Sequence, residues 1–176
     1  MHPAIAIIVL TALPDLAAAA PAPAPGAENA VHNPSFEKAV KDGPEGWSPA
    51  VWGGKGTHEH AKMGRSGGRS LLLASDEGAD ISWIATAPLE PFARYRLTGW
   101  IRTEGVRPGT GRGALLNLHD FQPLATKAIT GTSDWTKVDL EFDAGPRDSV
   151  QVNCLLGGWG KSTGKAWFDD MTLEKS

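Results

Sequence analysis

From Asn29 onward the chain is a succession of short apolar–polar runs cut apart by Gly, Pro and Asp, and no long helical periodicity interrupts them. The runs are Val31–Glu37, Ser48–Trp52, Thr57–Lys62, Ser70–Ala74, Asp80–Thr86, Arg94–Arg102, Ala114–His119, Thr126–Ile129, Thr136–Phe142, Ser149–Leu156 and Lys165–Glu174. Each has the length and residue preference of a strand, and the 21 Gly and 13 Pro supply the turns between them. Phe36–Lys41 has room for one helical turn before Gly43-Pro44 stops it. The pattern predicts an all-β sandwich, because a half-apolar strand must bury one face against a second layer.

Alternation also predicts orientation. In Arg94–Arg102 the apolar set is Tyr95, Leu97, Gly99 and Ile101, opposite Arg96, Thr98, Trp100 and Arg102. In Ala114–His119 it is Ala114, Leu116 and Leu118, opposite Leu115, Asn117 and His119. In Ser149–Leu156 it is Val150, Val152, Cys154 and Leu156, opposite Gln151, Asn153 and Leu155. In the C-terminal run, Trp167, Asp169, Met171 and Leu173 share one side; Phe168, Asp170 and Thr172 share the other. A carboxylate in so apolar a strand must be solvated, hydrogen-bonded or bound to a cation.

Residues 1–20 read as a secretory leader: a short apolar run from Ile5 to Leu13 is followed by Ala17–Ala20, which fits a small-residue cleavage site. Residues 21–28 form a Pro/Ala linker, and residues 29–176 are the size of one domain. The protein is therefore expected to be secreted or periplasmic, and no later segment is apolar enough to span a membrane. Removing residues 1–20 takes away Asp15 alone among the charges, moving the formal net charge from −3 to −2, a balance with no footprint for nucleic acid or an anionic membrane. Cys154 is the only cysteine, so no intramolecular disulfide forms; its alternation with Val150 and Val152 predicts a small buried side chain.

Several segments resemble a carbohydrate-binding module of the family 4/9/22 (cellulase C-type) group, within the galactose-binding-domain-like superfamily. They are Val31-His32-Asn33-Pro34-Ser35-Phe36-Glu37 with Gly46-Trp47-Ser48; Gly68-Arg69-Ser70-Leu71-Leu72-Leu73; Tyr95 to Arg102; Thr132 to Val138; and the closing Trp167-Phe168-Asp169-Asp170. The resemblance implies a jelly-roll β-sandwich of two antiparallel sheets. It implies a secreted, non-catalytic module that binds a poly- or oligosaccharide, with a separate glycoside hydrolase as a candidate partner. It places Trp47, Trp135 and Trp167 in the framework. It further implies a structural Ca²⁺ held by Glu37 and an acid of the closing strand, Asp169 in preference to Asp170; carboxylate and carbonyl oxygens suit such a hard cation.

Sugar recognition needs aromatic rings for the apolar faces of a pyranose and planar polar groups for its hydroxyls. Trp52, Trp83, Trp100 and Trp159 are the remaining aromatic candidates, and the Gly-rich setting of Trp159 suits presentation at a surface. Arg102, Asn117, His119, Gln151 and Asn153 complete the expected ligand site, on one sheet face that also carries Arg96. His58 and His60 share a strand face but lack a third metal ligand in the sequence around them. No nucleophile–base pair stands out, and Gly109–Gly113 lacks the Lys-Ser/Thr of a phosphate loop. The alternatives are a protein-interaction or adhesion module and, behind it, a glycoside-active enzyme.

Overall fold

The computed structural model describes residues 28–41 and 43–176; the expected leader (1–20) and, apart from Glu28, the linker (21–28) lie outside the described residues. The strands in chain order are β1 (Ala39–Val40), β2 (Gly43–Pro44), β3 (Ser48–Gly54), β4 (Thr57–Ala61) and β5 (Ser70–Pro88). They continue with β6 (Arg94–Arg107), β7 (Gly113–Leu118), β8 (Gly131–Asp143), β9 (Ser149–Gly157) and β10 (Ser162–Lys175). One 3₁₀ turn, His119–Phe121, follows β7, and no α-helix occurs among the described residues. All strand pairs are antiparallel.

The sandwich has its two expected layers, joined by one strand. The first part of β5 pairs with β4 and β10, and its later part, from Ala79 on, pairs with β3 and β9. The separate runs Ser70–Ala74 and Asp80–Thr86 are thus a single bent strand. Between them Gly78 takes φ +97° and donates its N–H to Ser75 Oγ at 2.9 Å. The first layer has the order β4-β5-β10-β6-β8 and the second β3-β5-β9-β7. Their inner faces meet through Leu71, Leu73, Leu97, Ile101, Leu116, Val152, Cys154, Phe168 and Met171, all fully buried. Each such aliphatic or aromatic side chain contributes roughly 1.5–3 kcal/mol on burial. Gly99 leaves room for the core: a Cβ there would stand 2.5 Å from Met171 Sδ and 2.9 Å from Leu116 Cδ1 of the other layer. Cys154 is buried as expected, its Sγ 4.0 Å from Met171 Sδ across the core.

Three sequence expectations are corrected. Val31–Glu37 is irregular and not a strand. The Asn33 amide donates to the carbonyls of Lys38 (2.9 Å) and Glu45 (3.1 Å) and accepts Lys38 N–H (3.0 Å), which turns the backbone and leaves Asn33 and Phe36 at positive φ. The segment still reaches β10 through Ala30 N to Leu173 O and Met171 N to Pro34 O, both 2.9 Å. Thr126–Ile129 is not a strand; it meets the edge of β7 through an isolated bridge from Ile129 to Ala114 and through Thr126 N–H to Leu116 O at 2.9 Å. In β10 the parity changes at the two acids. Ala166 and Phe168 are in the core, Asp170 adopts φ +48°, the register slips between Asp169 and Thr172, and Met171 and Leu173 then point inward. A bulge adds a residue and so exchanges the faces beyond it.

Candidate functional site

The outer face of the β3-β5-β9-β7 layer is hollow, with a cleft of ≈ 160 Å³ in it. Alternation and register build its floor. Asn117 of β7 and Asn153 of β9 are direct partners, each pointing away from its buried neighbours Leu116 and Cys154. Asn153 Nδ2 donates to Asn117 Oδ1 at 2.9 Å, and Gln151 Nε2 donates to Asn153 Oδ1 at 3.1 Å. Both asparagines are almost wholly buried, at 3% and 1% exposure, yet they line the cleft. Asn117 thus uses its Oδ1 within the floor, and its amide group also lines the cleft. Leu155 and Asp80 extend the floor towards the end of β9.

Two indoles border this floor. Trp159 is carried by Gly157-Gly158-Trp159-Gly160, in which Gly157, Gly158 and Trp159 have φ +130°, +82° and +58°. Asp80 Oδ1 accepts Gly158 N–H at 3.1 Å and holds this loop against the strands. Burial raises the Asp80 carboxyl above the ordinary carboxylate range, partly offset by the N–H groups of Gly158, Gly160 and Trp159. Trp159 is 43% exposed, its Nε1 bonded to Gln122 Oε1 at 2.9 Å and its ring 5.3 Å from the Arg112 guanidinium. Trp52, 48% exposed, donates Nε1–H to Ser82 Oγ at 3.1 Å. Its ring stacks on His119, with centroids 5.2 Å apart and planes 15° from parallel.

Of the expected ligand residues, Trp52, Asn117, His119, Asn153 and Trp159 line the cleft, and Gln151 braces its floor. Trp83 does not. It is 3% exposed in the core, its Nε1 donating to Leu72 O at 3.3 Å and its ring edge-on to His58. Trp100 and Arg102 lie on β6, in the other layer, so their outward side points away from the cleft. There Arg65 covers the Trp100 ring at 3.6 Å, and Arg102 lies between Met63 Sδ (3.3 Å) and the Trp167 ring (5.5 Å). The single face expected to carry Arg96, Trp100, Arg102, Asn117 and Asn153 is therefore two faces on opposite sides. Alternation separates inside from outside but does not say to which layer a strand belongs. Asp80, Gln122 and Leu155 complete the lining; Asp80 alternates with Ile81, a cue that its side chain shares the outer face.

The two expected metal ligands gather around the loop 64–69. Asp169, fully buried at the bulge, accepts N–H from Arg65 (2.6 Å) and Ser66 (3.2 Å) on Oδ2 and from Asp170 (2.7 Å) on Oδ1. Burial pushes its carboxyl up to about 6 against these hydrogen bonds. Glu37 Oε1 accepts Gly68 N–H (3.0 Å) and Arg69 N–H (2.9 Å). Asp170 pairs with Arg65 (2.6 Å) and Ser66 Oγ. Asp169 Oδ2 and the carbonyl oxygens of Ser66 and Arg69 all lie within 3.0 Å of where a Cβ on Gly64 would stand. That crowding of oxygen atoms, two neutral and one acidic, is the donor chemistry of a hard cation. His58 and His60 are committed elsewhere: the Nε2 of His58 contacts Ala50 O (3.2 Å) and Ser82 O (3.1 Å), that of His60 Phe36 O (2.6 Å).

No protein-family model and no curated protein matches the chain. Solved structures do. A family 61 carbohydrate-binding module in complex with β-1,4-galactotriose is 18% identical, with 85% of this chain and 99% of that one covered, at a TM-score of 0.55. The family 22 carbohydrate-binding and family 10 glycoside hydrolase modules of a Clostridium thermocellum endo-1,4-β-D-xylanase, complexed with xylohexaose, match at 14% identity, 84% and 28% coverage and a TM-score of 0.53. The enzymatically active domain of bacteriophage CBA120 tailspike protein 4 matches at 16% identity, 84% and 21% coverage and a TM-score of 0.56. The chain has the β-sandwich fold of these modules.

Proposed function

We propose that this chain is a non-catalytic carbohydrate-binding module, and that the sugar occupies the cleft bordered by Trp52 and Trp159. The observation that supports this most is the pairing of two half-exposed indoles with a floor of buried side-chain amides. Indoles cover the apolar face of a pyranose, and amides both donate to and accept from hydroxyls. Asp80 is engaged by the Trp159 loop, which suits a scaffold acid better than a general acid. The sugar-bearing neighbours of the same fold support the ligand class by analogy. A separate glycoside hydrolase is the natural partner, and the leader-like residues 1–20 support a secreted or periplasmic location.

A structural calcium belongs to the same reading. Asp169, with the Ser66 and Arg69 carbonyls, would hold it, and Glu37 would fix the loop beside it; the ion would supply positive charge where these oxygens crowd together. The function is tested on a glycan array backed by polysaccharide pull-down. Saturable binding to at least one glycan is expected, and a folded protein that retains none contradicts the proposal.

A further inference from the structure

The cleft is small, and two side-chain braces cross it. Resting on the carbohydrate reading above, we infer that it takes a single neutral sugar ring at the end of a chain and not the interior of an extended polysaccharide.

Three observations carry this. The first is size: ≈ 160 Å³ falls below the roughly 300–1,000 Å³ of pockets that enclose drug-sized ligands, and equals the liquid volume of about five waters. That space matches one sugar ring, and further rings of a chain would lie outside it. The second is enclosure. Trp52 comes from β3 and His119 follows β7, the two edge strands of the layer, and their rings stack over β5 and β9 between them. Trp159, from the loop after β9, is bonded to Gln122, on the same segment as His119. Two cross-braces thus end on residues 119–122, whereas an interior sugar needs a groove open at both ends for the chain to enter and leave. The third is polarity. The lining holds the Asp80 carboxyl and neither Lys nor Arg, an environment that repels uronic acids and sulfated sugars and accepts neutral ones. The Asn117 amide in the lining suits the hydroxyls of such a neutral ring.

The test is calorimetric titration of the full chain with glucose, galactose, mannose and xylose, and with their β-1,4-linked oligomers from disaccharide to hexasaccharide. A sugar series that binds with affinity changing less than about threefold from disaccharide to hexasaccharide is the expected result. Affinity that climbs by more than this with chain length overturns the terminal-ring inference and leaves the carbohydrate reading standing. Tighter binding to galacturonate oligomers than to the neutral series overturns the inference as well. A folded protein that binds none of these sugars and no glycan on the array overturns both.

Discussion

Asp80 joins the floor of the cleft to the loop that carries Trp159. Its carboxyl accepts the N–H of Gly158 while burial raises its pKa above the usual carboxylate value. A carboxyl whose folded pKa lies above its unfolded one, about 3.9, favours the folded state fully below that unfolded value. That contribution is lost as pH rises through the folded pKa, where the buried group must become charged. Asp80→Asn keeps an acceptor for Gly158 and removes the ionisation. The melting temperature of the variant relative to wild type is therefore predicted to rise between about pH 3 and pH 7. Paired thermal melts across this range check it, and a difference that is flat or falls with pH contradicts the assigned cause.

At the scale of elements, the alternation of β6, β7 and β9 was legible in the sequence, because each strand carries an apolar row opposite a polar one. Of the five cleft residues named from the sequence, Asn117, His119 and Asn153 follow from those rows and Trp159 from the glycines around it, whereas Trp52 was named for its residue type alone. Three things were not legible. One is layer membership: Trp100 and Asn117 are both outward residues, on opposite sides of the sandwich. Another is continuity, since the Ser75–Gly78 bend looks like a turn between two strands although β10 pairs with β5 on both sides of it. The last is the bulge at Asp169–Asp170, which no periodicity announces. That bulge turns Asp169 towards the loop 64–69, where Glu37 grips the other end. If a calcium ion completes this clamp, at about 100 times its Kd it adds about 2.7 kcal/mol to folding stability, a shift of several degrees for a domain of this size. Chelation is then predicted to lower the melting temperature, calcium to restore it, and Asp169→Asn to remove most of the response. An unchanged melt with no metal by elemental analysis contradicts the calcium proposal, and the hydrogen bonds alone then hold the loop.

For the whole molecule, the division of labour runs between the two outer faces. On the β4-β5-β10-β6-β8 face Arg65 lies on Trp100, held there by Asp170, and Arg102 lies against Trp167. The β3-β5-β9-β7 face has its rings at the rim of a hollow. The single bent β5 fixes these faces back to back, so a ligand on one cannot reach the other. The most direct measurement is the affinity of Trp159→Ala and Trp100→Ala, both checked for native folding, for the best glycan from the array. Removing a stacking ring costs on the order of 1–3 kcal/mol by analogy with an apolar side chain, about 5- to 150-fold in Kd. The account predicts that loss for Trp159→Ala and wild-type affinity for Trp100→Ala; the reverse outcome would put the sugar on the opposite face and contradict it.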